Sequence, residues 1–412
     1  MDAVPHETEL IALLAVGLSM ALLGGLLALR LRLPPLIGYL LAGVALGPFT
    51  PGFVADAHLA PQLAEIGVIL LMFGVGNHFS IGDLLAVRRI ALPGAIGQVA
   101  LATALGFGVC RFWGWSIGAG LVFGLALSVA STVVLLRSLE ARDALTSEPG
   151  RVAVGWLVVE DLIMVVVLVL LPALAPSLGS NTEQAATPGA IGLTLLLTLI
   201  KVGIFVALML VGGVRVIPWL LRRVEATGSR ELFILAVLAV ALGIAYGAAE
   251  LFGVSFALGA FLAGGVVNES EFSHRAAEEA LPLREAFAVL FFVSVGMLID
   301  PTFLIAEVGR ILVVVAIVMV GKALAALVLV RLLGGATETG LVVAAGLSQI
   351  GEFSFILASA GMALGLLPAE GNNLILAGAL VSITLNPLLF ALIEPLRARM
   401  TTRSRLAPAA GR

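Results

Sequence analysis

The sequence is poor in most of what a soluble enzyme uses. It has a single cysteine, Cys110, which excludes an intrachain disulfide and a cysteine metal cluster. Its four histidines, His6, His58, His78 and His274, are scattered without the paired spacing of a metal site. Neither a GxxxxGK[ST] stretch nor a strand-embedded GxGxxG occurs, which leaves no place for ATP or nicotinamide chemistry in this chain. Charged residues make up only 12%, where soluble domains carry about 25%. The first ten residues hold Asp2, Glu7 and Glu9 but no Lys or Arg. The cationic start of a secretory signal is therefore missing, and the first apolar run is expected to be a retained helix.

What fills the 412 residues is apolar: 60% are A, V, I, L, M, F, W, Y or C. At roughly 20 residues per crossing, that is enough for about a dozen spanning helices with short loops, and no large soluble domain fits beside them. Apolar runs of helical length fall at about 8–29, 34–48, 60–77, 90–110, 117–138, 151–172, 188–214, 231–248, 251–267, 284–299, 307–330, 338–364 and 371–393. Thirteen helices are expected, and the alternation of barrel strands is missing. Nineteen Lys and Arg residues occupy every second gap and the tail, whereas the other gaps hold only Arg111 and Arg310. This asymmetry puts the N-terminus outside and the C-terminus in the cytoplasm.

The chain resembles itself. LIGYLLAGV at 36–44 lies over ALGAFLAGG at 257–265 with an offset of 221, and LAEIGVILLMFGVG at 63–76 lies over LREAFAVLFFVSVG at 283–296 with an offset of 220. Helices one to six then pair with eight to thirteen, with helix seven as spacer. An odd number of crossings separates equivalent starts, so the second copy is inverted. Inverted repeats mark secondary transporters, with the site at mid-membrane. The expected fold is an all-α polytopic membrane protein of about thirteen transmembrane helices in two inverted six-helix repeats.

Ionisable groups inside such helices are costly and functional by default. Glu160 and Asp161 lie about ten residues into helix six, near mid-depth at ~1.5 Å per residue. Adjacent helical positions point about 100° apart, so only one of the two carboxylates is expected to line an ion cavity. Lys322 lies too deep in helix eleven to snorkel and needs a carboxylate partner, Asp161 or Glu160, unless its pairing is purely structural. Lys201 sits in the spacer helix and reads as structural. Helices five and twelve are interrupted by SVASTVV (Ser128, Ser131, Thr132) and SQIGEFS (Ser348, Gln349, Glu352, Ser354). Such interruptions fit unwound backbone around a cavity or, alternatively, small-residue helix packing; the buried carboxylate of Glu352 favours the cavity.

Taken in order, LPPLIGYLLAGVALGP, LAEIGVILLMFGVG, SVASTVV, VVEDL, FLAGGVVNESEFSH, LFFVSVGMLIDP and GLSQIGEFSFIL resemble the monovalent cation:proton antiporter superfamily in its Kef-like branch. The Glu160-Asp161 pair is closer to YbaL-type members than to glutathione-gated Kef systems, so glutathione gating is not carried over. The resemblance implies an NhaA-like fold with crossed discontinuous helices, spanning 1–395 before a basic cytoplasmic tail at 396–412. Core helices are expected at about 60–172 and 284–393, and dimerisation helices at about 8–48 and 188–267. It implies no enzyme but a homodimeric bacterial inner-membrane exchanger of K+, or of Na+, for H+; the alternative is a ligand-gated K+ efflux channel. Asp161 becomes the ion- and proton-binding carboxylate, Glu160 its neighbour, Ser131 and Thr132 the polar residues at the helix-five break, and Lys322 with Glu352 the charge-balancing groups. No cofactor is expected in this chain, no metal beyond the transported cation, and no nucleic acid. Related proteins continue into a cytosolic nucleotide-binding RCK domain. The acidic stretch 268–284 resembles a regulatory loop, so Glu269, Glu271 and His274 are expected to meet such a domain or a regulatory subunit, unless they form a plain solvated turn.

Overall fold

A computed structural model describes residues 9–31, 33–50, 59–78, 81–179 and 188–406. Regular structure among them is entirely helical: α1 (Glu9–Arg30), α2 (Pro35–Leu46), α3 (Leu59–His78), α4 (Ile81–Phe112), α5 (Ile117–Ser128), α6 (Thr132–Glu140), α7 (Glu148–Leu174), α8 (Pro188–Leu208) and α9 (Val214–Glu225). The second half comprises α10 (Arg230–Phe252), α11 (Phe256–Asn268), α12 (Ser273–Met297), α13 (Pro301–Ala306), α14 (Val308–Ala316), α15 (Lys322–Leu332), α16 (Thr337–Leu347), α17 (Glu352–Ala363) and α18 (Ala369–Leu406). Single π-helical turns at Met209–Gly213 and Ile317–Gly321 join α8 to α9 and α14 to α15. Local chemistry sets several ends: the hydroxyls of Ser116, Ser229 and Ser255 accept free amides at the starts of α5, α10 and α11.

Among the described residues, eight helices are long and apolar enough to cross a membrane, or nine when α16 and α17, bent by 47° at their break, count as one span. The expected thirteen runs are therefore not all of spanning length. The reason is geometric: α2 and α5, at 12 residues each, rise only about 18 Å, against a hydrocarbon core of about 30 Å.

The chain packs as two compact units. Unit one holds α1 to α3, the last part of α7 from Val165, and α8 to α12; unit two holds α4 to α6, α7 up to Met164, and α14 to α18. The expected grouping placed the stretches at 60–80 and 284–300 with the core helices. By packing, both belong to unit one, because α3 and α12 are locked there onto α11 and α2.

That locking is backbone against backbone. A Cβ on Gly43 of α2 would be driven into the Val293 carbonyl of α12, and one on Gly296 of α12 into the Leu40 carbonyl of α2. The same pair of contacts recurs elsewhere in the unit: Gly264 of α11 meets the Phe73 carbonyl of α3, and Gly76 of α3 meets that of Phe261. Each residue of the second set is displaced from its counterpart by 220 or 221 positions. Small residues let helices approach closely where lipid supplies no hydrophobic drive between them.

Unit two is organised around Trp156 of α7, fully buried among Ala91 and Ala95 of α4, Leu135 and Leu139 of α6, Ala326 and Val330 of α15, and Val343 and Leu347 of α16. This apolar packing holds the polar part of α7, one turn further on, against the two broken helices.

Candidate functional site

Two helices of unit two are broken at matching places. α5 and α16 start 220 residues apart, as do α6 and α17 that resume after the breaks. Val129 (φ −90°, ψ 143°) and Gly351 (φ −110°, ψ 178°) take extended backbone. Each break strands carbonyls that a continuous helix would satisfy, and side chains from several helices take them up. Ser354 Oγ donates to the Ala126 carbonyl at 2.6 Å and Gln98 Nε2 to that of Ser128 at 3.1 Å. Asn386 Nδ2 donates to the Ala345 carbonyl at 2.8 Å. Lys322 Nζ serves both breaks, donating to the carbonyls of Val129 at 3.0 Å and Gln349 at 3.1 Å. The breaks also meet directly. A Cβ on Gly351 would strike the Ala130 carbonyl, Gln349 Oε1 accepts the Ser131 N–H at 3.0 Å, and Gln349 Nε2 donates back to the Ser131 carbonyl at 3.1 Å.

Against this crossing stand three buried carboxylates. Glu160 Oε2 accepts the Ala130 N–H at 3.2 Å, and Asp161 Oδ2 accepts the Thr132 hydroxyl at 3.0 Å. Asp161 Oδ1, Glu160 Oε1 and both carboxylate oxygens of Glu352 are buried without a hydrogen-bond partner among the described residues. Glu352 is the first residue of α17, faces the Ser131 hydroxyl and Thr132 main chain, and with Glu160 stands close enough to Asp161 to act on its charge. Glu160, Asp161, Glu352 and Lys322 are each at most 2% exposed.

The structure brings the expected site residues of unit two together and corrects two details. The first concerns the neighbouring carboxylates: Glu160 and Asp161 both reach the first break, although adjacent helical residues diverge by about 100°. Their partners Ala130 and Thr132 flank the helix start at Ser131, Ala130 before α6 and Thr132 as its first residue, so the two groups are displaced along the chain and meet both directions. The second concerns Lys322, whose charge acts on Glu160 as expected but without an ion pair within 4.0 Å among the described residues; its ammonium is hydrogen-bonded to main-chain carbonyls at the C-terminal ends of α5 and α16. Those ends carry the negative pole of each half-helix and favour a cation. The π-helical turn Ile317–Gly321 immediately precedes Lys322 and resets the register of that helix. Ser131 caps α6, its Oγ accepting the Val134 N–H at 3.3 Å. Gln98 and Asn386 escaped the sequence reading; their signal was a neutral amide inside an otherwise apolar run.

Glu269, Glu271 and His274 lie in unit one, outside the crossing. Much of the expected loop at 268–284 is helical, since α12 begins at Ser273; its charged first turns hide it from an apolar-run reading. Glu269 and His274 are exposed. Glu271 is paired with Arg222, which donates at 2.8 Å and 3.0 Å. Arg230 binds Glu279 at 2.8 Å, and Arg275 pairs with Glu225 while lying 4.2 Å over the Phe233 ring.

Residues 18–393 match the family "Sodium/hydrogen exchanger, transmembrane". The chain is 59% identical over 397 residues to YbaL of Escherichia coli (strain K12), provisionally named a cation/proton antiporter, covering 96% of this chain and 71% of YbaL. It is 32% identical over 389 residues to K(+) efflux antiporter 4 of Arabidopsis thaliana, covering 94% of this chain and 64% of that protein. The fold is similar to the sodium proton antiporter MjNhaP1 of Methanocaldococcus jannaschii, with a TM-score of 0.68 at 16% identity over 94% of this chain and 97% of that one. The family match over residues 18–393, with eight or nine helices able to span a bilayer among the described residues, places the chain, a multi-span membrane protein, in the sodium/hydrogen exchanger family of cation/proton antiporters.

Proposed function

We propose that the chain exchanges a monovalent cation, K+ ahead of Na+, for H+ by alternating access, with Asp161 as the shared binding group. The observation that carries this reading is a charge imbalance: three buried carboxylates stand against one buried ammonium. An uncompensated charge in a low-dielectric interior is costly, so the site has to take up positive charge from elsewhere. A proton and a metal cation answer the need equally well, and occupancy by one displaces the other.

The local bonds favour Asp161 among the three. Glu352 opens a helix, where the positive pole supports an anion. Glu160 has a main-chain N–H and the field of the Lys322 ammonium. Each of the three keeps at least one bare oxygen, but Asp161 has a single hydroxyl and two neighbouring carboxylates, with no cation among the described residues acting on it. In the proposed cycle Thr132 orients that carboxylate, Ser131 fixes the start of α6, and Lys322 with Glu352 balances the half-helix poles. Unit two is the transporting core and unit one the dimerisation part of a homodimer. The preference for K+ rests on the name carried by the Arabidopsis relative.

The wider reading includes thirteen crossings in two inverted repeats, in a bacterial inner membrane with the C-terminus cytoplasmic. The reciprocal glycine contacts at offsets of 220 and 221 support the repeats, and the arginine asymmetry supports the orientation. Glu269, Glu271 and His274 then face a cytosolic RCK domain or regulatory subunit, where any nucleotide would bind. In proteoliposomes, Asp161→Asn should reduce pH-dependent K+ and Na+ flux to that of protein-free vesicles while leaving thermal unfolding in detergent unchanged. Full exchange by that variant would sink the assignment, and single-channel currents from the unaltered protein would replace exchange with a pore.

A further inference from the structure

Asp161 and Glu160 are oriented by three consecutive residues, Ala130 to Thr132, that belong to no helix interior. The Ser131 carbonyl accepts the Leu135 N–H at 3.1 Å as α6 begins, while the Ser131 N–H, which precedes the helix, finds its partner in a side chain. Gln349 presents an acceptor and a donor on one planar amide, and both are used on the same residue: Oε1 takes the Ser131 N–H and Nε2 gives to the Ser131 carbonyl. The amide thus pairs with Ser131 as a neighbouring strand would, from 218 residues away. Nε2 also lies 3.3 Å from the Gly346 carbonyl, and the side chain is fully buried. The arrangement is one-sided, because the position 220 residues earlier is Val129, which has no polar side chain to offer the second break.

We infer that Gln349 is a positioning residue for cation and proton binding, an inference that rests on exchange at Asp161. By fixing the Ser131 peptide it aims the flanking groups: the Ala130 N–H at Glu160 and the Thr132 hydroxyl at Asp161. Among uncharged side chains only Gln and Asn combine a donor and an acceptor in this geometry, and Asn is one methylene too short to reach from the same backbone. Loss of both bonds frees the segment to turn, and the Thr132 hydroxyl leaves Asp161. The effect falls on how tightly the site holds its ions and leaves turnover of the loaded carrier largely intact.

The test compares Gln349→Leu and Gln349→Glu with the unaltered protein in proteoliposomes, measuring KM and maximal rate for Na+ and K+ across a pH series. Two lost hydrogen bonds should raise KM in Gln349→Leu by about tenfold at every pH, with a maximal rate within about twofold and a displaced pH midpoint. Gln349→Glu carries its own signature. A protonated glutamic acid offers one O–H donor and one acceptor, as the amide does, whereas the carboxylate only accepts. Its KM should match the unaltered protein at the acid end and rise as pH increases. A folded Gln349→Leu with unaltered KM and pH midpoint, or one that loses only maximal rate, overturns the inference. Should Gln349→Leu fail to fold, Gln349→Glu decides, and a KM ratio to the unaltered protein that is constant with pH overturns it. Normal exchange by the unaltered protein alongside such results removes only the role of Gln349. An unaltered protein that exchanges no cation for protons removes the reading at Asp161 and this inference with it.

Discussion

Unit one and unit two are built from the same apolar residues yet cohere by different means. Of the fifteen buried polar or charged side chains among the described residues, fourteen lie in unit two; Asn77 alone lies in unit one. Unit one joins its helices by close backbone approach at glycines and keeps its charges at the rim, as in the Arg222–Glu271 pair. Unit two has such an approach too, Gly124 of α5 against the Thr103 carbonyl of α4, but it also breaks two helices and satisfies the freed carbonyls with Gln98, Ser354, Asn386 and Lys322. Without a hydrophobic drive between helices, packing of small residues and interhelical hydrogen bonds are the two available adhesives. The buried ionisable groups of the proposed site all lie in the hydrogen-bonded unit.

The sharpest way to break this contrast is to add volume in unit one. Gly264 meets the Phe73 carbonyl, whereas its neighbour Gly265 faces open space. Gly264→Ala should destabilise by about 3 kcal/mol and Gly265→Ala by under about 0.5 kcal/mol, read from thermal unfolding in detergent. Equal effects would show that close approach is not what holds α3 to α11.

In unit two the sensitive quantity is polarity at constant volume. Lys322→Met keeps the bulk of the side chain but leaves the Val129 and Gln349 carbonyls without their donor. A loss of about 2 kcal/mol should follow, together with a displaced pH profile of exchange, because one positive charge has left the crossing. Unaltered unfolding and pH profile would mean that the crossing holds without its ammonium. The smallest effect belongs to the rim of unit one. Glu271 and Arg222 side chains are 59% and 69% exposed, so Arg222→Gln should change stability by no more than about 0.5 kcal/mol, and raised salt should shift unfolding of the unaltered protein and the variant alike.

Much of the crossing is legible in the sequence because the membrane makes it so. An ionisable or amide group inside an apolar run carries a large desolvation cost, which makes Glu160, Asp161, Lys322 and Glu352 conspicuous against their neighbours. The polar interruptions at Ser128–Thr132 and Ser348–Glu352 stand out for the same reason. The charge partner of Lys322, Glu160, was legible, but its hydrogen-bond partners were not. A main-chain carbonyl has no sequence signature, and a search for charge complements leads to Asp161 or Glu160. The first turns of α12 were hidden in the opposite way: Glu278, Glu279 and Arg284 read as loop to a hydropathy window, although a helix tolerates them where one side is exposed.

By itself the sequence determined the environment, the helical class and the few ionisable residues set within apolar runs. These follow from composition and one-dimensional spacing, since bilayer thickness fixes how many apolar residues a crossing needs. Tertiary structure alone decided that α3 and α12 pack in unit one, that Lys322 is held by carbonyls of both breaks, and that Gln349 pairs with Ser131 across 218 positions. Such pairings depend on where a helix stops and which peptide groups it leaves exposed. Those groups are identical in every residue, so only the folded chain distinguishes them.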